Sequence, residues 1–501
     1  MRRSAKGSTH AAAAQCLVDI VLLQRSTEQV FEALKLDGDK TKQCQAQVLH
    51  CLRKLLPLSA LASELSHQKI KEKDQVLLYL IVVGLGDLLL SDRADYAVVD
   101  ECVAAVALLK KQSASGLVNA VLRTAVKRRP DFMDRLHAQP AISHFPGWIR
   151  KKLKRTYPTH FEMVAAQSGM IAPIWLSIDE SAVPAEAFKR KLRSQGIAFQ
   201  ENTAQADTLI LVARPDITKL PGFAEGHFFV QDRAAQLCAR LLPIDAGQRI
   251  LDACTAPGGK LMQLICKARL LKLALHIDAV DLSAKRLART RENLTRLGVN
   301  IVEKDQDETE SRQTVSLQQT DLDCDELTTT YDAILLDAPC SASGVIRRHP
   351  DIPFVRKPAD VRDLVKLQSR LLASLWKQLK PGGHLLYATC SIFPEENSEQ
   401  IAAFMQTAGD QAEALALPAI YGGIETEFGR QWLPGDDRCY ELPHQQIATH
   451  RNTSTQREQE RSILADRAGT NSFVDNSHFT HSSESSYDSD GFYYCLLRKA
   501  L

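Results

Sequence analysis

Between residues 245 and 405 short apolar runs alternate with longer amphipathic ones, and no other feature restricts the fold so strongly. QRILDAC, LALHIDAVD, YDAILLDAPC and GGHLLYATC read as strands, with one more within 299–321. KLMQLICKARLL, SAKRLARTRENLTRLG and ADVRDLVKLQSRLLASLWKQL carry three- and four-residue apolar spacing and read as the helices between them. This alternation specifies a doubly wound, mostly parallel sheet, a Rossmann-like α/β layer. Ligands bind such sheets outside the carboxyl ends of the strands. Cys340 and Cys390 stand at two of those ends, in LDAPCSASG and YATCSIFPEEN.

A chain of 501 residues is too long for one core. Helical periodicity runs through AAAAQCLVDIVLL, QVLLYLIVVGLGDLLL and SASGLVNAVLRTAVKRR, which predicts an all-α domain over 1–130. PIWLSIDESA and TLILVARP, flanking the helix AEAFKRKLRSQG, predict a small α+β module over 131–235. The Rossmann-like domain then fills 236–501. Polar insertions at 303–314 and 441–487 interrupt it, and the second, poor in large apolar residues, reads as disordered or a loop excursion. GFYYCLLRK alternates like a final strand at the sheet edge.

Twelve cysteines are scattered without a CxxC pair or a zinc-type Cys/His cluster. They predict reduced thiols in a cytoplasmic protein, with no metal. In MRRSAKGSTHAAAAQCLVDIVLL, Gln15 and Asp19 interrupt the apolar run, so an amphipathic helix is expected rather than a signal peptide. No membrane span is expected, because no run reaches about 18 apolar residues. The net charge of +2 conceals a basic block in 123–155: Arg123, Lys127, Arg128, Arg129, Arg135, Arg150, Lys151, Lys152, Lys154 and Arg155, against Asp131 and Asp134. It is a candidate phosphate surface, and its plain alternative is a solvated helix face.

DACTAPGGK (252–260) leaves one strand and opens a helix. Gly258 and Gly259 permit close backbone approach, and a helix start favours an anionic group. The turn matches neither the Walker A nor the GxGxxG pattern. Asp281, ending the next strand, suits a ribose diol. Asp321, or Asp305 within the insertion, is the candidate for an adenine amino group. Asp337, Pro339 and Cys340 leave the fourth strand, and Arg347, Arg348 and His349 follow in a basic loop suited to phosphate.

APGGK, DAPCSASGVIRRHPDI and YATCSIFPEEN closely resemble the motifs of the S-adenosylmethionine-dependent RNA cytosine-5 methyltransferases. GLVNAVLR and VQDRAAQ resemble the branch of that family that carries a NusB-like RNA-binding domain and acts on small-subunit ribosomal RNA. The resemblance spans most of the chain. It implies a NusB-like helical domain, an α+β RNA-binding linker module and a class I methyltransferase domain. The implied reaction is methylation of C5 of a cytosine in 16S ribosomal RNA, naked or in an early pre-ribosomal particle, by a monomer without a membrane partner.

C5 of cytosine is a poor nucleophile, and a thiolate added at C6 makes it enamine-like. The resemblance implies that Cys390 is that nucleophile and that Cys340 assists release. Asp337 would hydrogen-bond the base, and Lys260 would lie near the catalytic thiol and the methionine end of the cofactor. The implied cofactor residues are Cys254, Thr255, Ala256, Pro257, Gly258, Gly259, Lys260, Asp281, Arg286, Asp321 and Asp337. DNA cytosine-5 methyltransferases attack with the cysteine of their PC motif, so the chemistry alone leaves the two thiol roles exchangeable. Thr255 stands where alanine or glycine is common, and Ser177 and Asp179 replace part of a usual LRxN, removing an arginine from the RNA-side module. Alternative readings are action on transfer RNA, or a NusB-like assembly factor with a degenerate catalytic fold.

Overall fold

Alanine- and leucine-rich periodicity is met by ten α-helices among the described residues of the first third of the chain. They are α1 (Thr9–Val21), α2 (Thr27–Glu32), α3 (Gly38–Arg53), α4 (Leu55–Leu65), α5 (Gln75–Leu90), α6 (Asp95–Leu108), α7 (Ser115–Lys127), α8 (Arg129–Ala138), α9 (Gly147–Thr156) and α10 (Phe161–Ser168). These and all later coordinates come from a computed structural model, which describes residues 8–66, 70–202, 205–302, 313–325, 327–435 and 489–501. The periodic run across 45–65 is broken at Lys54, whose non-helical backbone separates α3 from α4. α5 is buried nearly all round, so it forms the axis of this core. No helix among the described residues is long and apolar enough to cross a membrane.

Next come β1 (Ile174–Ile178), α11 (Ala185–Ser194), β2 (Phe199–Glu201), β3 (Thr208–Leu211) and β4 (Phe228–Val230). The four strands pair antiparallel in the order β2-β3-β1-β4. Phe188 and Leu192 of α11 pack on Leu176, Leu209 and Phe228.

The larger sheet follows with β5 (Arg249–Ala253), β6 (His276–Asp281), β7 (Ile301–Val302), β8 (Thr314–Gln319), β9 (Tyr331–Asp337), β10 (Leu379–Thr389), β11 (Ala412–Leu415), β12 (Ile424–Glu425), β13 (Arg430–Trp432) and β14 (Phe492–Lys499). Its helices are α12 (Leu237–Leu241), α13 (Gly259–Leu270), α14 (Ala284–Arg296), α15 (Ile352–Val355), α16 (Pro358–Gln378) and α17 (Ser398–Ala408). The strand order is β12-β13-β14-β10-β9-β5-β6-β8-β7, with β11 also paired to β14. From β10 to β7 every pairing is parallel. The order reverses beside β5, whose neighbours are β6 and β9, so the switch-point crevice opens at the carboxyl ends of β5 and β9.

Two expectations need correction. The third strand is two, β7 and β8, on either side of residues 303–312, which lie outside the described residues together with Asp305. β14 is not an edge strand: it pairs β10 on one side and β11 and β13 on the other, and its first six residues are all buried. GFYYCLLRK reads as an edge strand because β11, β12 and β13 are too short to give periodic signals of their own.

The chain forms two compact units. One gathers the residues up to Ala172 with Cys340–Leu367 and Cys390–Asn397. The other comprises Pro173–Pro339, Gln368–Thr389 and Ser398–Leu501. The helical unit encloses a polar knot. Asp87 Oδ2 accepts from Gln47 (2.8 Å) and Arg93 (2.7 Å) and meets His10 Nε2 at 3.1 Å. Burial pushes the Asp87 carboxyl up, but the bonds from His10, Gln47 and Arg93 outweigh it, so its pKa is lowered. A lowered carboxyl contributes stability above its unfolded pKa and loses it as pH falls through the folded value. Asp87→Asn is therefore expected to cost about 3 kcal/mol at pH 7. Urea unfolding at pH 7 and pH 3 checks this, the difference from the native chain shrinking at the lower pH.

Candidate active site

β5 ends in a turn that the sequence shapes closely. Cys254 has a left-handed φ of 63°, and Gly258, which caps α13, has a φ of 92°. A Cβ on Gly258 would meet Thr290 at 2.7 Å, and one on Gly259 would collide with the Gln231 side chain. Only glycine fits at these two positions. The amides of the turn are tied down: Thr255 N–H donates to Val280 O (2.9 Å) and Ala256 N–H to Asp281 Oδ2 (3.0 Å). Asp281 also accepts from Ser283 N–H (2.9 Å), and Arg286 bonds Ala256 O and lies 3.7 Å from Asp281. Asp281 and Arg286 thus meet at the Cys254–Lys260 turn, beside cis-Pro257.

Asp252, which the sequence reading passed over, lies fully buried in β5. Thr255 Oγ1 donates to its Oδ2, while its Oδ1 has no hydrogen-bond partner. Burial raises its pKa from 3.8 to about 7. An orphaned acceptor at the glycine turn, whose Ala256 amide Asp281 holds, fits a ligand that brings hydroxyl or ammonium donors. Lys260, first on α13 after Gly259, reaches across the switch point to Asp337 Oδ2 at 2.6 Å, its ammonium 5.1 Å from the Phe492 ring centre.

Asp321 comes one residue after Thr320, whose N–H donates to Asp281 O (3.2 Å). It follows β8 in a tight turn, where its carboxylate accepts from Asp323 N–H (3.0 Å). Ser177 and Asp179 are buried and face inward: Ser177 Oγ accepts from Gln263 (2.9 Å), and Asp179 lies 3.6 Å from Arg269. Their departure from LRxN is accommodated by ties between β1 and α13.

The two cysteines belong to the first unit and meet. Cys340 Sγ lies 3.3 Å from Cys390 Sγ. Their loops are bolted at the next residues. The fully buried Glu396 carboxylate accepts from Ser341 N–H (2.7 Å), Ser341 Oγ (2.6 Å) and Ser391 Oγ (2.5 Å). Ser343 Oγ lies 3.0 Å from Ser391 Oγ and accepts from Ile392 N–H (3.0 Å), while Gly344 N–H donates to Cys390 O (2.9 Å). The hydrogen bond to Cys390, and after it burial, pushes the Cys340 thiol well up. The hydrogen bond to Cys44, and after it burial, raises Cys16, and burial raises Cys51, Cys102 and Cys266, consistent with inert core thiols.

The basic stretches divide. Arg347 is buried and its carbonyl accepts from Arg53 (3.0 Å), while Arg348 is partly exposed and His349 exposed. The packing of 340–367 into the helical unit took Arg347 out of solvent. In the 123–155 block, Arg128, Arg129 and Arg135 pair with Asp131, Asp95 and Glu64. Lys152 pairs with Glu395 and lies 4.2 Å over the Phe393 ring, and Tyr157 Oη donates to Ile392 O (2.6 Å).

The raised Asp252 pKa has a sign. Its unfolded carboxyl ionises first as pH rises from 3.8, so its contribution to stability is present at low pH and lost as pH climbs to about 7. Asp252→Asn is expected to melt higher than the native chain at pH 8 and no higher at pH 4, by thermal scans at the two pH values.

Comparison with known proteins agrees with this architecture. A family model described as 16S rRNA methyltransferase RsmB/F matches residues 239–446. A NusB family model matches 8–127, and a ferredoxin-like domain of RsmF/B-like methyltransferases matches 145–218. Ribosomal RNA small subunit methyltransferase B of Proteus mirabilis is 37% identical over 74% of this chain and 85% of its own length. Its namesake from Salmonella newport is 35% identical over 85% and 95%. The crystal structure of NSun6 from Pyrococcus horikoshii with the cofactor analogue SFG shares the fold, with a TM-score of 0.53 and 16% identity over 71% of this chain and 99% of that one. The chain therefore belongs to the ribosomal RNA small subunit methyltransferase B family, S-adenosylmethionine-dependent rRNA methyltransferases with a NusB-like domain at one end.

Proposed function

We propose that this chain methylates C5 of a cytosine in 16S ribosomal RNA, with Cys390 bonded transiently to C6 and Cys340 assisting release. The observation that carries the reading is the thiol pair, 3.3 Å apart on loops that leave adjacent parallel strands. An inert pair of core thiols needs no buried carboxylate to hold its loops, and Glu396 does so here.

S-adenosylmethionine, when bound, supplies an electrophilic sulfonium methyl group. The backbone of Cys254, Thr255, Ala256, Pro257, Gly258 and Gly259 lines its site, Asp281 accepts from the ribose, Arg286 holds Asp281 and the turn together, and Asp321 serves the adenine. Cys390 is the thiol that attacks C6 as its thiolate. Addition forms the Sγ–C6 bond and moves the C5–C6 electron pair toward N3, where Asp337 favours protonation. Lys260 balances the Asp337 charge at 2.6 Å. After C5 has gained its methyl group, Cys340 acts as base and takes the C5 proton, the C5–H electron pair re-forms the C5–C6 double bond, the N3 proton returns to Asp337, and the Sγ–C6 pair leaves with Cys390. Residues 1–130 and 131–235 serve RNA binding and 236–501 catalysis, in a cytoplasmic monomer acting on naked RNA or an early particle.

Unmodified small-subunit RNA incubated with methyl-labelled cofactor is expected to yield labelled 5-methylcytidine on nucleoside analysis. Label in another nucleoside, or in none, overturns the reading. Cys390→Ala is expected to lower turnover by at least about a thousandfold and to trap no RNA, as for loss of a covalent nucleophile. Cys340→Ala is expected to accumulate an RNA adduct on a denaturing gel. An adduct with Cys390→Ala instead exchanges the two roles.

A further inference from the structure

The basic block contains two kinds of cation. Three arginines of 123–135 are neutralised by Asp131, Asp95 and Glu64, and Lys152 by Glu395. Arg150, Lys151, Lys154 and Arg155 are all exposed on α9, and no acid pairs with them among the described residues. Lys154 only overlies the Phe161 ring, at 5.2 Å. At about 100° per residue these four span an arc of about 140°. Buried Ile149 and Leu153, with half-buried Lys152, occupy the opposite arc.

The inward arc grips the nucleophile loop. Lys152 pairs with Glu395 and covers Phe393, Trp148 lies 6.1 Å from the same ring, and Tyr157, just past the helix, bonds Ile392 O. Phe393 is three residues beyond Cys390, or about 10 Å of chain. A helix with side chains is about 10 Å thick. Four cations on so short a helix repel one another, and among the described residues no carboxylate pairs with them. An anionic strand laid along the outer face would relieve them, one helix-width from the loop that carries the nucleophile.

We infer that the outer face of α9 is a rest for the phosphates of the substrate RNA strand flanking the target base, while its inner face holds the Cys390 loop. This rests on the RNA-substrate reading and names where that RNA is gripped. RNA phosphates are the occupant that charge complementarity selects, because each one docked releases a counterion and steepens the salt dependence of binding.

The test compares two triple variants of the full chain that remove equal charge. Lys151→Gln/Lys154→Gln/Arg155→Gln removes uncompensated cations, and Arg128→Gln/Arg129→Gln/Arg135→Gln removes paired ones. Binding of unmodified small-subunit RNA is titrated without cofactor from low to high salt, after thermal melts have established that each variant is folded. The α9 variant is expected to bind at least about tenfold more weakly at 0.15 M salt, with a log–log salt slope shallower by about two, near 0.7 per phosphate lost. The control is expected to keep both values near those of the native chain. An unchanged α9 variant overturns the inference, and so does an equal loss in both, which would mean bulk charge alone. Because no turnover is read, a failure of the cytosine chemistry leaves this result intact.

Discussion

The position of both thiols depends on one buried carboxylate. Glu396 accepts the Ser341 amide and the hydroxyls of Ser341 and Ser391, residues adjacent to Cys340 and Cys390. Bonds to an ionised acceptor are the strong kind, and a buried acceptor left without them is costly. Two loops that enter from different strands, fifty residues apart in sequence, are thereby held in a single register. The 3.3 Å separation of the sulfurs follows from that bolt.

The other half of the chemistry is built by the sheet. Strand order reverses beside β5, and the crevice this opens is lined by the glycine turn, Asp281 and the Lys260–Asp337 pair. Gly258 and Gly259 are required there because Thr290 and Gln231 occupy the space that side chains would need. Asp252 pushes in the opposite direction. An apolar strand would be more stable without a buried acid whose pKa rises to about 7, so its retention at this point is a cost carried by the site.

Much of this was legible in the sequence, and the reasons for the rest are physical. Strand–helix alternation is a long-range pattern, so the parallel sheet and the strand-end cysteines were readable from 245–405. β14 was misread as an edge because its covering partners β11, β12 and β13 hold two to four residues each. Glu396 was visible only as one of two acids after Pro394. Its burial depends on how two distant loops meet, which no local pattern encodes. The basic block looked uniform because its acidic partners, Asp95, Glu64 and Glu395, lie far from it in sequence. Arg347 looked free for the same reason: what buries it is the helical unit.

The account stands on Cys390 being the thiol that attacks. Small-subunit RNA made with 5-fluorocytidine carries fluorine where a proton must leave, so an enzyme that adds at C6 cannot complete release. After incubation with the native chain and cofactor, digestion and tandem mass spectrometry identify the cysteine that holds the nucleotide. The account predicts the nucleotide on Cys390, in the peptide containing YATCSIFPEEN. Attachment at Cys340, or no attachment to either cysteine, would contradict it.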